Sequence, residues 1–252
     1  MKVALLAASL VTSLGILPLM TDASQSAEIT AFFTGAARRS LEAIVPQFER
    51  ESGHKVAGVY ELPPALVKRV EAGEPFDVLL LSYDVAGLIK QGRLAADSRT
   101  VVGRVGVGVA VREGAPKPDF SSVEKFKSML LNAKSFATSG EGSSGRYVAS
   151  LIENLGIADQ VRPKMRSGLS GASAEMVSKG EVDFVVSGLP PLLGTPHIEW
   201  LGYLPEEINS WLVFSGGLSP TAKEPEAGRA LLKFLAGPAA ATVWKDNGLE
   251  PP

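Results

Sequence analysis

The chain contains no cysteine. That excludes disulfides, thiolate metal sites and a cysteine nucleophile. Its two histidines, His54 and His197, are too few for a multi-histidine metal centre. Charge of one sign is missing as well: 25 Lys and Arg against 27 Asp and Glu leave a net charge of −2. Such a balance gives no general electrostatic footprint for nucleic acid. Catalytic signatures are equally scarce. There is no G-x-S-x-G elbow, no H-E-x-x-H and no serine with an evident base. His54 follows Ser52-Gly53 at an expected helix end, a surface capping position, and His197 lies in a Pro/Gly-rich loop. No charge run, internal repeat or low-complexity linker appears; Gly114–Pro118 is the most linker-like stretch.

What is present is apolar sequence: 45% of 252 residues are hydrophobic. That is too much for a disordered chain and ample for a core. The length allows one large domain or two of about 100 residues each. Lys2 precedes an apolar run from Val3 to Met20, broken near its end by Pro18 and followed by small residues from Thr21 to Ala27. This order is that of a secretory signal, and residues 1–27 are read as one, cleaved between 24 and 28. No cysteine follows the run, so a lipid anchor is excluded. Its removal takes away one base and one acid, Lys2 and Asp22, and leaves the balance unchanged. A soluble chain exported to a bacterial periplasm is expected.

The body alternates strand and helix. Glu28–Thr34 is a short β-rich run, and Ala37, Leu41, Ile44, Val45 and Phe48 then recur at helical spacing until Gly53. A strand at Lys55–Tyr60 and a helix from Pro63 to Gly73 follow. Asp77–Ser82 reads as a strand buried on both faces, because it is nearly all apolar. A helix at Asp84–Gln91 precedes one longer strand at Arg104–Val111. Ser121-x-x-Glu124 reads as a capping box. Further strands are expected at Ser135–Ser139, Val182–Ser187 and Trp211–Leu218, with a candidate near Val161–Arg166. Helices are expected at Arg146–Leu155, Ser170–Lys179, Glu224–Leu235 and Ala239–Asn247. This alternation predicts α/β layers with mainly parallel sheets.

In such sheets ligands sit beyond the carboxyl ends of strands, against helix N-termini. Four junctions fit. At Thr34-Gly35-Ala36-Ala37-Arg38-Arg39, two arginines occupy a first helical turn, where cations oppose the helix dipole. An anion beside them would account for that. At Glu61-Leu62-Pro63-Pro64 the prolines suit a helix start and remove donors. At Ser139–Arg146, Gly140, Gly142 and Gly145 match G-x-G-x-x-G between strand and helix. The next strand candidate ends in Arg166-Ser167-Gly168, not in the acid that a dinucleotide ribose needs. The loop is therefore read as a cradle for a smaller anion, made by backbone N–H groups, Ser143 and Ser144, with Arg146 nearby. Ser170-Gly171 and Ser187-Gly188 add two further hydroxyls, or serve as plain helix caps.

At these residues the sequence resembles the molybdate-binding (ModA-type) branch of the periplasmic solute-binding proteins of ABC transporters. The matching segments begin with EITAFFTGAARRSLEAIVPQFERESGHKV, ALVKRVEAGEPFDVLLLS and GRVGVGVAVREGA. They continue with SSGRYVASLIENLGIAD, GEVDFVVSG and PEAGRALLKFLAGPAAATVWKDNGLEP. The resemblance implies a two-lobed type II periplasmic-binding-protein fold with two crossover hinge strands, near Val107–Val111 and Trp211–Gly216. One lobe would comprise residues 28–108 and 214–252, the other 109–213. It implies a small anionic ligand between the lobes, an inner-membrane ABC permease as partner, a monomer and no cofactor.

The family's oxyanion ligands do not all carry over. The first-loop serine position is Ala36, with Thr34 close by; Glu61–Pro64 replaces a serine-rich loop; and Ser187 stands at a tyrosine position. The expected ligand-binding set is Thr34, Gly35, Ala36, Arg38, Ser143, Ser144, Gly145, Arg146, Ser170 and Ser187, with no catalytic residue and no metal. Guanidinium forks at 38, 39 and 146 suit carboxylates, so the ligand is a molybdate-like oxyanion or an organic carboxylate. The sequence also resembles bacterial aconitate isomerase, an enzyme on the same scaffold that interconverts trans- and cis-aconitate. In that alternative Arg38 and Arg146 clamp, and Glu61, Glu141 or Lys68 serves as base, although a carboxylate near arginines has a depressed pKa.

Overall fold

The computed structural model describes residues 26–168 and 171–251. Residues 1–25 of the expected signal peptide, and Ser170, lie outside them. The chain first runs through β1 (Glu28–Thr34), α1 (Arg38–Ser52), β2 (Lys55–Glu61), α2 (Pro63–Glu71), β3 (Val78–Leu81), α3 (Ala86–Lys90) and β4 (Thr100–Val105). It continues through β5 (Val107–Arg112), α4 (Val123–Asn132), β6 (Phe136–Thr138), α5 (Ser143–Asn154) and α6 (Ala158–Val161). Then come β7 (Met165–Ser167), α7 (Ala172–Lys179), β8 (Phe184–Gly188) and β9 (Ile198–Tyr203). It closes with β10 (Leu212–Leu218), α8 (Pro225–Leu235) and α9 (Pro238–Asp246).

Two five-stranded sheets result, in the orders β2-β1-β3-β10-β4 and β7-β6-β8-β5-β9. In the first, β1 to β4 share a direction and β10 opposes them. In the second, β5 alone opposes the other four. The sheets are mixed by pairing, yet four strands of five run one way in each. This is the α/β, two-lobed type II architecture.

The apolar strand runs cover both faces of each sheet, as their composition requires. In β3, Val78 and Leu80 pack with α1, α8 and α9 residues, while Leu79 and Leu81 pack with Leu66 and Val70 of α2 and Leu88 of α3. In β5 and β8, Val107, Val109, Val111, Phe184 and Val186 join α4, α5 and α6 residues. Ala110 and Val185 face Ala174 and Val177 of α7. Period-two alternation thus splits each strand between two cores. Burying each large apolar side chain contributes roughly 1.5–3 kcal/mol.

Three expectations change. The single strand at Arg104–Val111 is two strands in different sheets, separated by Gly106. A Cβ on Gly106 would stand 2.8 Å from both Asn209 and Tyr203, so this passage between lobes needs glycine. The cap of α4 is Ser122, whose hydroxyl accepts from Lys125 N at 3.2 Å; Ser121 bonds Asp119 instead. Strand β9 was not expected. Its six residues are all half-buried, so it lacks the apolar alternation that betrays a strand. Among the described residues no helix is long and apolar enough to cross a membrane.

Candidate functional site

Four strand ends point at one place. Strand β1 ends at Thr34, β3 is followed by Ser82, β6 by Ser139, and β8 carries Ser187 in its last turn of chain. The first two belong to one sheet and the last two to the other. Each of these hydroxyl residues is buried. They form two connected sets with the start of α5. Thr34 Oγ1 donates to Ser82 Oγ at 3.3 Å, and Ser82 Oγ lies 2.7 Å from Ser143 Oγ, across the lobes. Ser144 Oγ lies 2.7 Å from Ser139 Oγ and 3.3 Å from Ser187 Oγ. Between them is a cavity of ≈ 30 Å³, room for a water or two.

The electrostatics favour an anion. Helix α5 has no acid in its first turn, and its N-cap, Gly142, offers no side chain, so beyond the Gly145 N–H that Ser139 Oγ accepts its dipole and first N–H groups are open to an anion. The glycine loop makes this approach possible. Gly140 has φ +55°, and a Cβ on Gly145 would lie 2.1 Å from the Gly140 carbonyl oxygen. Gly145 N donates to Ser139 Oγ at 3.0 Å, which aims that hydroxyl. On the opposite lobe, Ser215 fixes the segment after Ser82: its hydroxyl accepts from Val85 N at 2.9 Å and donates to the Tyr83 carbonyl at 3.1 Å. Much of the remaining cavity wall is carbon, from Leu62, Pro63, Val105, Pro190, Pro191, Leu212 and Phe214, with Ala36, Gly142 and Gly188 completing it.

The arginines stand at the rim. Neither Arg38 nor Arg146 lines the central cavity. Arg38 is exposed, bonds Glu42 at 2.9 Å and lies over the Tyr60 ring at 5.0 Å. With Gly35, Tyr60, Glu61, Leu62 and Glu141 it borders an adjoining groove of ≈ 520 Å³. Arg39 is exposed too, with its guanidinium against Gly194. Arg146 lies over the Tyr83 ring at 5.3 Å, again across the lobes. Burial pushes the Tyr83 phenol up, against the opposing pull of Arg146, and burial likewise raises Tyr60. Both phenols remain protonated donors near neutral pH. Glu61 does not present a bare charge to the site: the Arg69 fork grips it at 2.6 and 3.2 Å. Glu141 borders both the Arg38 groove and a second groove of ≈ 340 Å³ on the other side of Leu62.

Of the expected residues, Thr34, Ala36, Ser143 and Ser144 line the cavity. Ser187 touches it through Ser144, Gly145 sits beneath the loop, and Gly35 and Arg38 border the groove. Ser82, Ser139 and Tyr83 were missed. The signal for the serines was available, since each directly follows an apolar strand run, DVLLLS or SFATS. Among the described residues no group of three His, Asp or Glu side chains is placed to hold a metal.

A model of the family described as bacterial extracellular solute-binding protein matches residues 29–250. The chain belongs to that family. This solute-binding protein is 30% identical to an aconitate isomerase from a Pseudomonas species over 230 residues, 88% of this chain and 87% of the relative. It is 27% identical to the molybdate-binding protein ModA of Azotobacter vinelandii over 250 residues, 95% and 96% of the two chains. Among solved structures it resembles the periplasmic molybdate-binding protein of A. vinelandii with a TM-score of 0.71 and 16% identity, covering 89% of this chain and 99% of that one.

Proposed function

We propose that this solute-binding protein is a periplasmic receptor that closes on a small anion and delivers it to an inner-membrane ABC permease. The observation that carries the reading is the convergence of Thr34, Ser82, Ser139, Ser143, Ser144 and Ser187 from both lobes around the start of α5. Hydroxyls and helix N–H groups donate to an oxyanion without a buried counter-charge. Ligand bound by both sets favours the closed arrangement over the open one, and that difference in affinity is the transport signal. The molybdate-binding relative supports an oxyanion, and the rim arginines support a carboxylate. The test is a melting-temperature panel on the mature chain with molybdate, tungstate, sulfate, phosphate, citrate and both aconitates. An anion at 100 times its Kd stabilises by about 2.7 kcal/mol; no shift with any of them contradicts the reading.

A second reading, isomerisation of aconitate, is favoured by the 30% identical relative and by Glu141, a carboxylate beside the cavity in no ion pair among the described residues. Here Glu141 takes an allylic proton and returns it at the other end of the unit. Proton NMR of cis-aconitate incubated with the protein, and with the Glu141→Gln variant, tests it: conversion by the first and not the second supports this reading.

A further inference from the structure

The central cavity is chemically two-sided. Its side-chain donors are the hydroxyls of Thr34, Ser82, Ser139, Ser143 and Ser144. Elsewhere on the wall Pro63, Pro190 and Pro191 have no N–H, and the side chains of Leu62, Val105, Leu212 and Phe214 present only carbon. A tetrahedral inorganic oxyanion carries acceptor oxygens in every direction. Seated here, some of its oxygens would lose water and meet carbon, a penalty that hydrogen bonds on the other side do not remove. An organic acid has the matching asymmetry, with acceptors at one end and apolar surface behind them. Leu62 extends the match, because it borders the cavity and the grooves of ≈ 520 and ≈ 340 Å³ on either side. Leu62 therefore leads from the hydroxyls outward to grooves that also hold Arg38, Glu61 and Glu141, whereas the cavity itself encloses only ≈ 30 Å³.

We infer that the ligand is an organic acid, seated carboxylate first against the serine hydroxyls with its carbon skeleton on Leu62 and the three prolines. This rests on the anion-binding reading above and narrows it to one chemical class. Recognition comes from two terms: donated hydrogen bonds to the carboxylate, and burial of the skeleton against the apolar wall.

The test is calorimetric titration of the mature chain with succinate, citrate and trans-aconitate on one side and molybdate and sulfate on the other. The expected result is at least one organic acid bound more than about tenfold tighter than either inorganic anion, with the negative heat-capacity change that marks apolar burial. The Leu62→Ala variant, truncated at a half-buried wall position, is expected to weaken that acid by about tenfold while leaving the melting temperature of the unliganded protein within a few degrees of wild type. Inorganic anions bound as tightly or tighter would overturn the inference and leave the anion-binding reading standing. Absence of binding by every anion would overturn both.

Discussion

Ser82 Oγ and Ser143 Oγ lie 2.7 Å apart, the first beyond β3 in one lobe and the second at the start of α5 in the other. This pair carries one hydroxyl set across the two lobes, and it is where a ligand oxygen would be held from both sides. Removing either hydroxyl leaves the other without its partner across the cleft. Ser82→Ala and Ser143→Ala are each expected to weaken the tightest-bound anion by about ten- to a hundredfold, the worth of one bond donated to a charged group. Calorimetric titration of each variant measures it.

The rim arginines should behave differently. Arg38 and Arg146 are exposed and sit over Tyr60 and Tyr83 rather than inside the cavity. Charges so placed steer encounter and are screened by salt. Arg38→Ala and Arg146→Ala are expected to slow association and flatten its salt dependence, with less than about a tenfold loss of affinity at 0.15 M salt. Stopped-flow binding at two ionic strengths separates these effects; a larger loss at high salt would put the guanidinium on the ligand.

Asp77 explains why the segment around it is so exacting. Its buried carboxylate accepts from Thr30 N at 2.8 Å, Lys223 N at 2.7 Å and Glu224 N at 3.0 Å, tying β1, β3 and the start of α8 together. Asp77→Ala orphans all three donors and is expected to cost about 3 kcal/mol or more in urea unfolding.

Acid should destabilise the fold. The Val56 N–H donated to Glu49 holds that carboxyl below its usual range, and the Arg99 fork does the same for Asp84. A depressed folded-state pKa contributes stability that is present above the unfolded value and lost as pH falls through the folded one. Melting temperature is therefore expected to drop as pH falls below about 4.5. At the alkaline end the raised Tyr60 and Tyr83 phenols act oppositely: their stabilising effect is full below about pH 10 and fades above it. A melting series from pH 3 to 11 reads both limbs.

The architecture was legible wherever an apolar run had a clear period. Asp77–Ser82 is a strand because both of its faces are core, and α1 was marked by Leu41, Ile44 and Phe48. Strand β9 was not legible, since half-buried residues such as Glu199 and Gly202 hide its register. The change of lobe at Gly106 was invisible too, because β4 and β5 follow one another with a single residue between and read as one run. At the site, the strand-end rule found Thr34, Ser143, Ser144 and Ser187. It overvalued the arginines, because charge alone does not say which way a residue points. On α5, Ser144 and Val148 are buried, and Arg146, two residues from each, lies on the opposite face. It passed over Ser82 and Ser139, although each follows an apolar strand run as Ser187 does; the meeting of two sheets is what gives them a role.

The measurement that tests the central claim most directly is the affinity of the mature protein and of a Ser82→Ala, Ser144→Ala double variant for the anion that stabilises the wild type most. The account predicts a loss of at least about 100-fold in the double variant, with a melting temperature of the unliganded protein within a few degrees of wild type. Equal affinity in both proteins would contradict it, because the anion would then be held elsewhere than between the hydroxyls of the two lobes.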